Sequence, residues 1–414
     1  MLTKAAKAYK RVNLMIRIII GLTIGVVLGL TIPGLTPIEM LGKLFVGALK
    51  AIAPILVMLL VMASIAKAGQ GLGRRFRTVM GLYMSSTVIA AVIAYFVCGI
   101  FPVTLSLPGA EQMDSAPTGL GDVFLKLASD ITTNPISAVS NAVYLSILLW
   151  AIIIGLALKQ QKSEFAVNLI RVFADTVSQV VRWIIDCAPF GILGLVYSSV
   201  AESGMEIFTT YGQLLLVLVG CMALTSFFIN PLIMACMLRT NPYPLVWRCL
   251  KESAVNAFFT RSSAANIPVN MGLCKRMGLD EDFYSVSIPL GSAINMDGAA
   301  VTITVMTLAT CVTMGIEVPL GSGILLCIIS ALAACGASGV AGGSLLLIPM
   351  ACSLFGISQD ISMQVVAIGF IIGVVQDSVE TALNSSGDAM FTATAELFER
   401  RMQGEKIDLS KLPE

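Results

Sequence analysis

The chain has 414 residues, 57% of them hydrophobic and 12% charged, with a mean hydropathy of +0.88. A soluble domain is about one-quarter charged, so this composition is that of a polytopic membrane protein. The net charge of +1 says nothing about partners, of which no nucleic acid is expected, and the absence of histidine excludes a His-ligated metal site, a Ser-His-Asp triad and a His proton relay.

The first apolar stretch, 14–32, follows Lys4, Lys7, Lys10 and Arg11. It is as long as a spanning helix and ends at Pro33-Gly34 without a small-residue cleavage site, so it reads as a retained first membrane helix. Further apolar segments are expected at 40–66, 79–102, 136–158, 164–201 and 211–238, the fifth broken by Ala188-Pro-Phe-Gly. Lys and Arg gather in alternate connections: the N-terminus, 67–77, 159–171, 239–251 and the tail after Arg400. The positive-inside bias then puts both termini in the cytoplasm. Ten cysteines form no CxxC pair and mostly lie singly in apolar segments, as small buried hydrophobes do.

After Arg239 the simple spans stop. Residues 245–275 hold two short apolar arms around Thr260-Arg-Ser-Ser-Ala-Ala-Asn-Ile-Pro268, with basic residues at both ends: a re-entrant hairpin. A seventh helix, 283–314, is interrupted by Asn295-Met-Asp-Gly298. Residues 320–356 repeat the hairpin with Gly336 to Ser344 at its tip, and an eighth helix covers 359–397. The last third thus reads twice as hairpin, then interrupted helix. Each unit crosses the membrane an odd number of times, so the second is inverted, and such repeats bring broken helices together near the midplane. The predicted fold class is an all-α polytopic membrane protein: eight transmembrane helices plus two re-entrant hairpins, arranged as inverted repeats.

The eighth segment carries the polar core. At ~100° per residue, Asp377, Thr381, Asn384 and Asp388 share one face, with Glu380 slightly aside. Acids at such depth usually face a protein interior or a watery cavity. Asp297, Asp377, Glu380 and Asp388 outnumber the one base, Arg261, so the region should recruit cations, and its carboxylate, amide and carbonyl oxygens suit a hard ion such as Na⁺ or Ca²⁺. Asn295, Asp297 and Asp388 are candidates to dehydrate Na⁺; Asp377 with Thr381 and Asn384 matches the two ends of an amino acid zwitterion. Arg261 is expected to pair with one of the acids, Glu380 being the candidate.

TRSSAANIP at 260–268, NMDGA at 295–299, GASGVAGGS at 336–344 and QDSVETALNSSGD at 376–388 resemble the dicarboxylate/amino acid:cation symporter family, the glutamate-transporter fold, over roughly residues 14 to 397. The resemblance implies a homotrimer in the bacterial inner membrane and an elevator mechanism. It also implies a cytoplasmic N-terminus at 1–13, a scaffold of helices one and two (14–68) and four and five (121–203), a transport domain of helix three (79–102) and 211–397, and a cytoplasmic tail, 398–414. For substrate it implies Asp377 on the amino group, Thr381 and Asn384 on the α-carboxylate, and Ser262, Ser263, Met296, Val340 and Ser344 closing around them. For sodium it implies one site of Gly291, Asn295, Asn384 and Asp388, a deeper one of Asp297 with Tyr83, Ser86 and Thr87, and a third of hairpin carbonyls near Met296. Ala293 and Ala337 replace hydroxyl residues common in the family at that third site.

Where acidic-substrate members carry an arginine, this chain has Glu380, and Ala299 follows NMDG in place of a threonine. A carboxylate there disfavours glutamate and aspartate and accepts a hydroxyl, so serine and threonine are the expected substrates, with alanine weaker. Proton-coupled uptake of a neutral amino acid is the alternative within transport. A cation channel or an intramembrane hydrolase using Ser262 or Ser263 would be different classes; the single asymmetric constellation argues against the channel, and the lack of a histidine base or a nearby lysine argues against the hydrolase.

Overall fold

A computed structural model describes residues 12, 14–67, 73–107, 133–161, 163–204, 207–335 and 342–413. Among them every regular element is helical. Helices α1 (Leu14–Thr31), α2 (Thr36–Lys67), α5 (Tyr144–Gln161), α6 (Glu164–Asp186) and α7 (Ala188–Ser203) pack chiefly on one another, with the short α4 (Pro135–Ser140) leading into α5. Backbone contact between α1 and α7 is close because α1 presents glycine every fourth residue: a Cβ on Gly21 or Gly25 would lie 2.2 or 2.6 Å from a carbonyl oxygen of α7. Small residues permit such packing where no hydrophobic force between helices is available. The opposite face of α1 exposes Ile16, Ile20, Ile24 and Val27, as a lipid-facing surface does. At Cys187 the chain bends by 55° between α6 and α7, where Pro189 cannot continue the donor ladder.

The remaining elements wrap around two central helical spans. Helix α3 (Gly73–Ile100) and the α8 (Ile207–Leu224) to α9 (Asn230–Leu238) span lie outside; the latter is joined by a π turn at Thr225–Ile229. The first hairpin consists of α10 (Tyr243–Cys249), a π turn at Leu250–Ala254, α11 (Val255–Thr260) and α12 (Ser263–Arg276). The broken span is α13 (Glu281–Ile294) followed by α14 (Asp297–Thr313). The second hairpin consists of α15 (Leu320–Ala334), a 3₁₀ turn at Gly343–Leu347 and α16 (Ile348–Ser353), and α17 (Gln359–Met402) closes the bundle. Burial separates core from rim: 89% of the most apolar stretch of the α13–α14 span and 78% of that of α17 is buried, against 33–39% in the α2, α3 and α8–α9 spans. A polar ion pair, Lys50 Nζ to Asp360 Oδ1 at 2.5 Å, joins α2 to the start of α17.

Among the described residues five helices are long and apolar enough to cross a membrane, six with the bent α6–α7 pair counted as one span. Two of the eight expected spans, α1 and α5, contain shorter apolar stretches, Ile16–Thr31 and Ser146–Gln160. The broken seventh segment and both hairpins fall where the sequence places them, although the tip residues 336–341 lie outside the described residues. One expectation is corrected. The last segment is not interrupted at Asn384–Asp388; α17 runs unbroken through it. Its two serines are bonded without unwinding: Ser386 Oγ donates to Ala382 O at 2.7 Å and Ser385 Oγ accepts from Asn266 Nδ2 at 2.7 Å. The ten cysteines are free, and Cys187 and Cys236 are exposed rather than buried.

At one end of the bundle Arg75 links Asp280, at 2.7 Å, to Glu399, and Glu396 accepts the Asp280 N–H and an Arg400 hydrogen. The segment after α17 folds back on this end. Leu409 is buried, and Arg248 donates to the Pro413 carbonyl. Asp408 starts the final turn by accepting from Ser410 Oγ at 2.6 Å, a bond that with Lys411 beside it holds its carboxyl below the usual range.

Candidate functional site

The break in the α13–α14 span is built by Asn295 and Met296, whose backbones leave the helical region (φ −89°, ψ 84° and φ −121°, ψ 49°). The freed groups at that break are taken up by side chains. Gly298 N donates to Asn384 Oδ1 at 2.7 Å, and Met296 N to Thr87 Oγ1 at 3.3 Å. A helix interruption inside a bundle is tolerated when neighbours satisfy its backbone in this way.

Two buried acids flank the break. Asp297 heads α14 with no exposed surface, and its Oδ1 lies within hydrogen-bond reach of Ser86 Oγ, at 2.8 Å, and Thr87 Oγ1, at 3.0 Å. Its Oδ2 accepts from Asn230 Nδ2 at 3.0 Å. Asp388 on α17 accepts at Oδ1 from Asn295 Nδ2, at 3.0 Å, while its Oδ2 is buried with no hydrogen-bond partner among the described residues. The same Asn295 amide reaches the Asn384 carbonyl at 3.2 Å. Gly291, Asn295, Asn384 and Asp388 therefore lie together around Asp388 Oδ1, while the second oxygen of the same carboxylate lacks a donor among the described residues. Leaving such an oxygen buried is costly unless a cation meets it, and one acid among neutral oxygens is a hard donor set suited to Na⁺. Among the described residues no three acids or cysteines converge as a metal-binding group.

Tyr83 does not bring its hydroxyl to Asp297. The Tyr83 Oη lies 2.9 Å from Thr392 Oγ1 and 3.3 Å from the Asp388 carbonyl, while its own carbonyl is the part near Ser86 and Thr87, at 3.0 and 2.8 Å. Gly291 is required by this crowding: a Cβ there would lie 2.8 Å from both Asp388 Oδ1 and Tyr83 Oη. Gly291→Ala is expected to destabilise the chain by about 1–3 kcal/mol, the usual overpacking cost. Thermal melts in detergent check it.

A second pair of acids lies on α17 next to both hairpins. Asp377 Oδ2 accepts from Arg261 Nε at 2.7 Å and Nη2 at 2.6 Å, and its Oδ1 accepts from Gly342 N at 3.2 Å. Arg261 thus neutralises Asp377 and not Glu380, which corrects the expected pairing. The reason is topological: the hairpin turn carrying Arg261 packs beside the Asp377 turn of α17. Glu380 is 6% exposed and is held instead by neutral donors, all on Oε2: Thr302 Oγ1 at 2.7 Å, Ser344 Oγ at 2.9 Å and Gln376 Nε2 at 2.6 Å.

Ser262 caps α12, its Oγ accepting from Ala265 N at 3.2 Å; Ser263 is the next residue, partly buried at the same turn. Thr381 Oγ1 donates to the Asp377 carbonyl at 2.7 Å, leaving its lone pairs as acceptors. Asn384 Nδ2 points at Met296 Sδ, 3.5 Å away. Val340 and Ala337 lie outside the described residues. Sequence reasoning did not single out Asn230, Thr302 or Gln376. Asn230 had a signal, an Asn-Pro step inside an apolar span; Thr302 and Gln376 had none, because a lone hydroxyl or amide in a membrane helix usually only bonds its own backbone.

Asn266 and Asn270 of α12 tie the first hairpin to α17. Asn266 Nδ2 reaches Ser385 Oγ at 2.7 Å and Asn270 Nδ2 the Ser385 carbonyl at 2.8 Å. A bundle with apolar spans, a broken helix and buried carboxylates between hairpins is the architecture of a multi-pass membrane transport protein. The chain belongs to the Sodium:dicarboxylate symporter family, whose description matches residues 14–397. It is 56% identical to a protein of Bifidobacterium adolescentis named serine/threonine transporter SstT, over 97% of this chain and 94% of that one. Proteins of the same name from Streptococcus agalactiae (54%; 94% of this chain, 97% of that one) and Enterococcus faecalis (52%; 98% and 96%) are similar over comparable lengths.

Proposed function

We propose that this chain is a sodium-coupled symporter that imports serine and threonine across a bacterial cytoplasmic membrane. The observation that carries the substrate assignment is Glu380, a buried carboxylate held only by neutral donors among the described residues. Its Oε2 is fully engaged, so its other oxygen is left to accept from a ligand. An anionic side chain would meet like charge there, whereas a hydroxyl finds an acceptor. The names of relatives at 52–56% identity support the same reading. Asp377 binds the substrate ammonium, Thr381 and Asn384 its α-carboxylate, and Ser262, Ser263, Met296, Val340 and Ser344 enclose it.

Sodium is the co-transported ion. Asp388 Oδ2, without a partner among the described residues, supports one site with Gly291, Asn295 and Asn384, and the Asp297 cluster with Ser86, Thr87 and the Tyr83 carbonyl supports another. A tenfold sodium gradient is worth ~1.4 kcal/mol, and 100 mV adds about 2.3 kcal/mol per charge. One sodium per zwitterion therefore sustains an accumulation of several hundredfold. The preferential packing of α1, α2, α5, α6 and α7 on one another supports a scaffold against which α3 and α8–α17 move as an elevator. Eight spans, cytoplasmic termini and a homotrimer complete the reading, from the charge bias of the connections and the family resemblance.

The test is uptake of labelled serine into proteoliposomes under an imposed sodium gradient. Concentrative uptake that collapses without sodium, with competition by threonine and none by excess aspartate, is expected. Strong inhibition by aspartate, or undiminished uptake in sodium-free buffer at low pH, would overturn the substrate or the coupling ion. Glu380→Gln is expected to relax the exclusion, improving inhibition by aspartate about tenfold or more, since like-charge juxtaposition costs several kcal/mol.

A further inference from the structure

Arg261 occupies the turn between α11 and α12 in the left-handed backbone region, with φ 52°. A non-glycine residue is held there only where its surroundings over-determine it, and such positions cluster at ligand clamps and switches. Both guanidinium contacts, Nε at 2.7 Å and Nη2 at 2.6 Å, go to the same atom, Asp377 Oδ2. The pair is largely sealed: the side chains are 12% and 6% exposed. The two acids of this region are therefore treated differently, Glu380 receiving neutral donors and Asp377 a cation. Yet Asp377 is the carboxylate assigned above to the substrate's ammonium group. One carboxylate oxygen cannot give its full hydrogen-bonding capacity to a guanidinium and to an ammonium at once.

We infer that Arg261 is a built-in stand-in for the substrate's ammonium group. It neutralises Asp377 in the substrate-free state and yields that oxygen, in whole or in part, when an amino acid docks. This rests on the transport reading and on Asp377 as the ammonium site. Two consequences follow from the electrostatics. Substrate must compete with a tethered cation, so the affinity of the site is lower than its carboxylate alone would give. In return, the substrate-free protein carries no unpaired carboxylate at Asp377 through the membrane, where a bare charge is expensive. The planar fork of arginine suits this part, since it pairs with a carboxylate at little loss of side-chain freedom.

Serine binding, net sodium-driven uptake and serine–serine exchange are to be measured in proteoliposomes on the full-length chain, Arg261→Gln, Arg261→Lys and Asp377→Asn. Arg261→Gln is expected to lower the half-saturating serine concentration about fivefold or more, the lower end of ordinary coupling between sites. It should also slow net uptake, in which the protein must return without substrate, while exchange persists. Arg261→Lys, which keeps charge but loses the fork, should fall between. Weaker serine binding in Arg261→Gln, or net uptake and exchange slowed alike, would overturn the inference and make Arg261 a mere support for Asp377. If Arg261→Gln does not fold, Arg261→Lys decides: half-saturation and the net-to-exchange ratio both as in the parent would overturn it. Absence of serine uptake by the parent chain, or parent-like binding by Asp377→Asn, would instead overturn the transport reading or its ammonium site.

Discussion

Asp377→Asn is expected to reduce sodium-driven serine uptake by about a hundredfold or more, through two separable losses. The first is recognition: a charge-assisted hydrogen bond to the ammonium is worth ~1.5–3 kcal/mol, and the amide's own hydrogens would face the ligand's. The second is structural. Asp377 is the ion-pair partner of Arg261, and both side chains are nearly buried. Removing one partner of such a pair costs ~3–5 kcal/mol because the other charge is left uncompensated. The double variant Arg261→Gln/Asp377→Asn separates them. It should regain most of the lost thermal stability, since both charges leave together, and none of the lost uptake, since no carboxylate remains for the substrate. A double variant that recovers uptake would place the ammonium site elsewhere.

Asp388→Asn is expected to raise the sodium concentration for half-maximal serine uptake by about tenfold or more, equivalent to ~1.4 kcal/mol. The physical ground is specific. Asp388 Oδ1 is already committed to Asn295 Nδ2, whereas Oδ2 is buried without a donor among the described residues. Asparagine either aims an NH₂ at that point, repelling a cation, or turns its oxygen there and loses the Asn295 bond. The effect should be confined to sodium. Glu380 remains in place, so aspartate should stay excluded; parent-like sodium dependence in the variant would remove Asp388 from the ion site.

The two variants also divide the last helix. Asp377 and Glu380 face the hairpins through Arg261, Gly342 and Ser344, and Asp388 and Asn384 face the break in the α13–α14 span through Asn295 and Gly298. Asn384 and Asp388 are four positions apart, as are Asp377 and Thr381, so helical spacing alone gives one continuous stripe. Its division comes from what packs opposite.

What the sequence determined by itself was the class and the parts. A 12% charged chain with acids set inside apolar segments can fold only by gathering those acids in a protected interior. The spans, both hairpins and the break at Asn295–Met296 were legible because short apolar arms, basic ends and small-residue tips are local signals. What only the tertiary structure decided was partnership. That Arg261 meets Asp377 and not Glu380, and that the Tyr83 hydroxyl sits by Asp388 rather than Asp297, depends on residues more than a hundred positions apart. Asn230, just after the π turn at Thr225–Ile229, likewise reaches Asp297 from 67 positions away. The unbroken last helix belongs to the same lesson. Its Asn-Ser-Ser-Gly-Asp run looks like a place to unwind, yet Ser385 is met by a donor of α12 and Ser386 by a carbonyl of its own preceding turn. Hydrogen-bond demand is written in the sequence; the partners that meet it are supplied by packing.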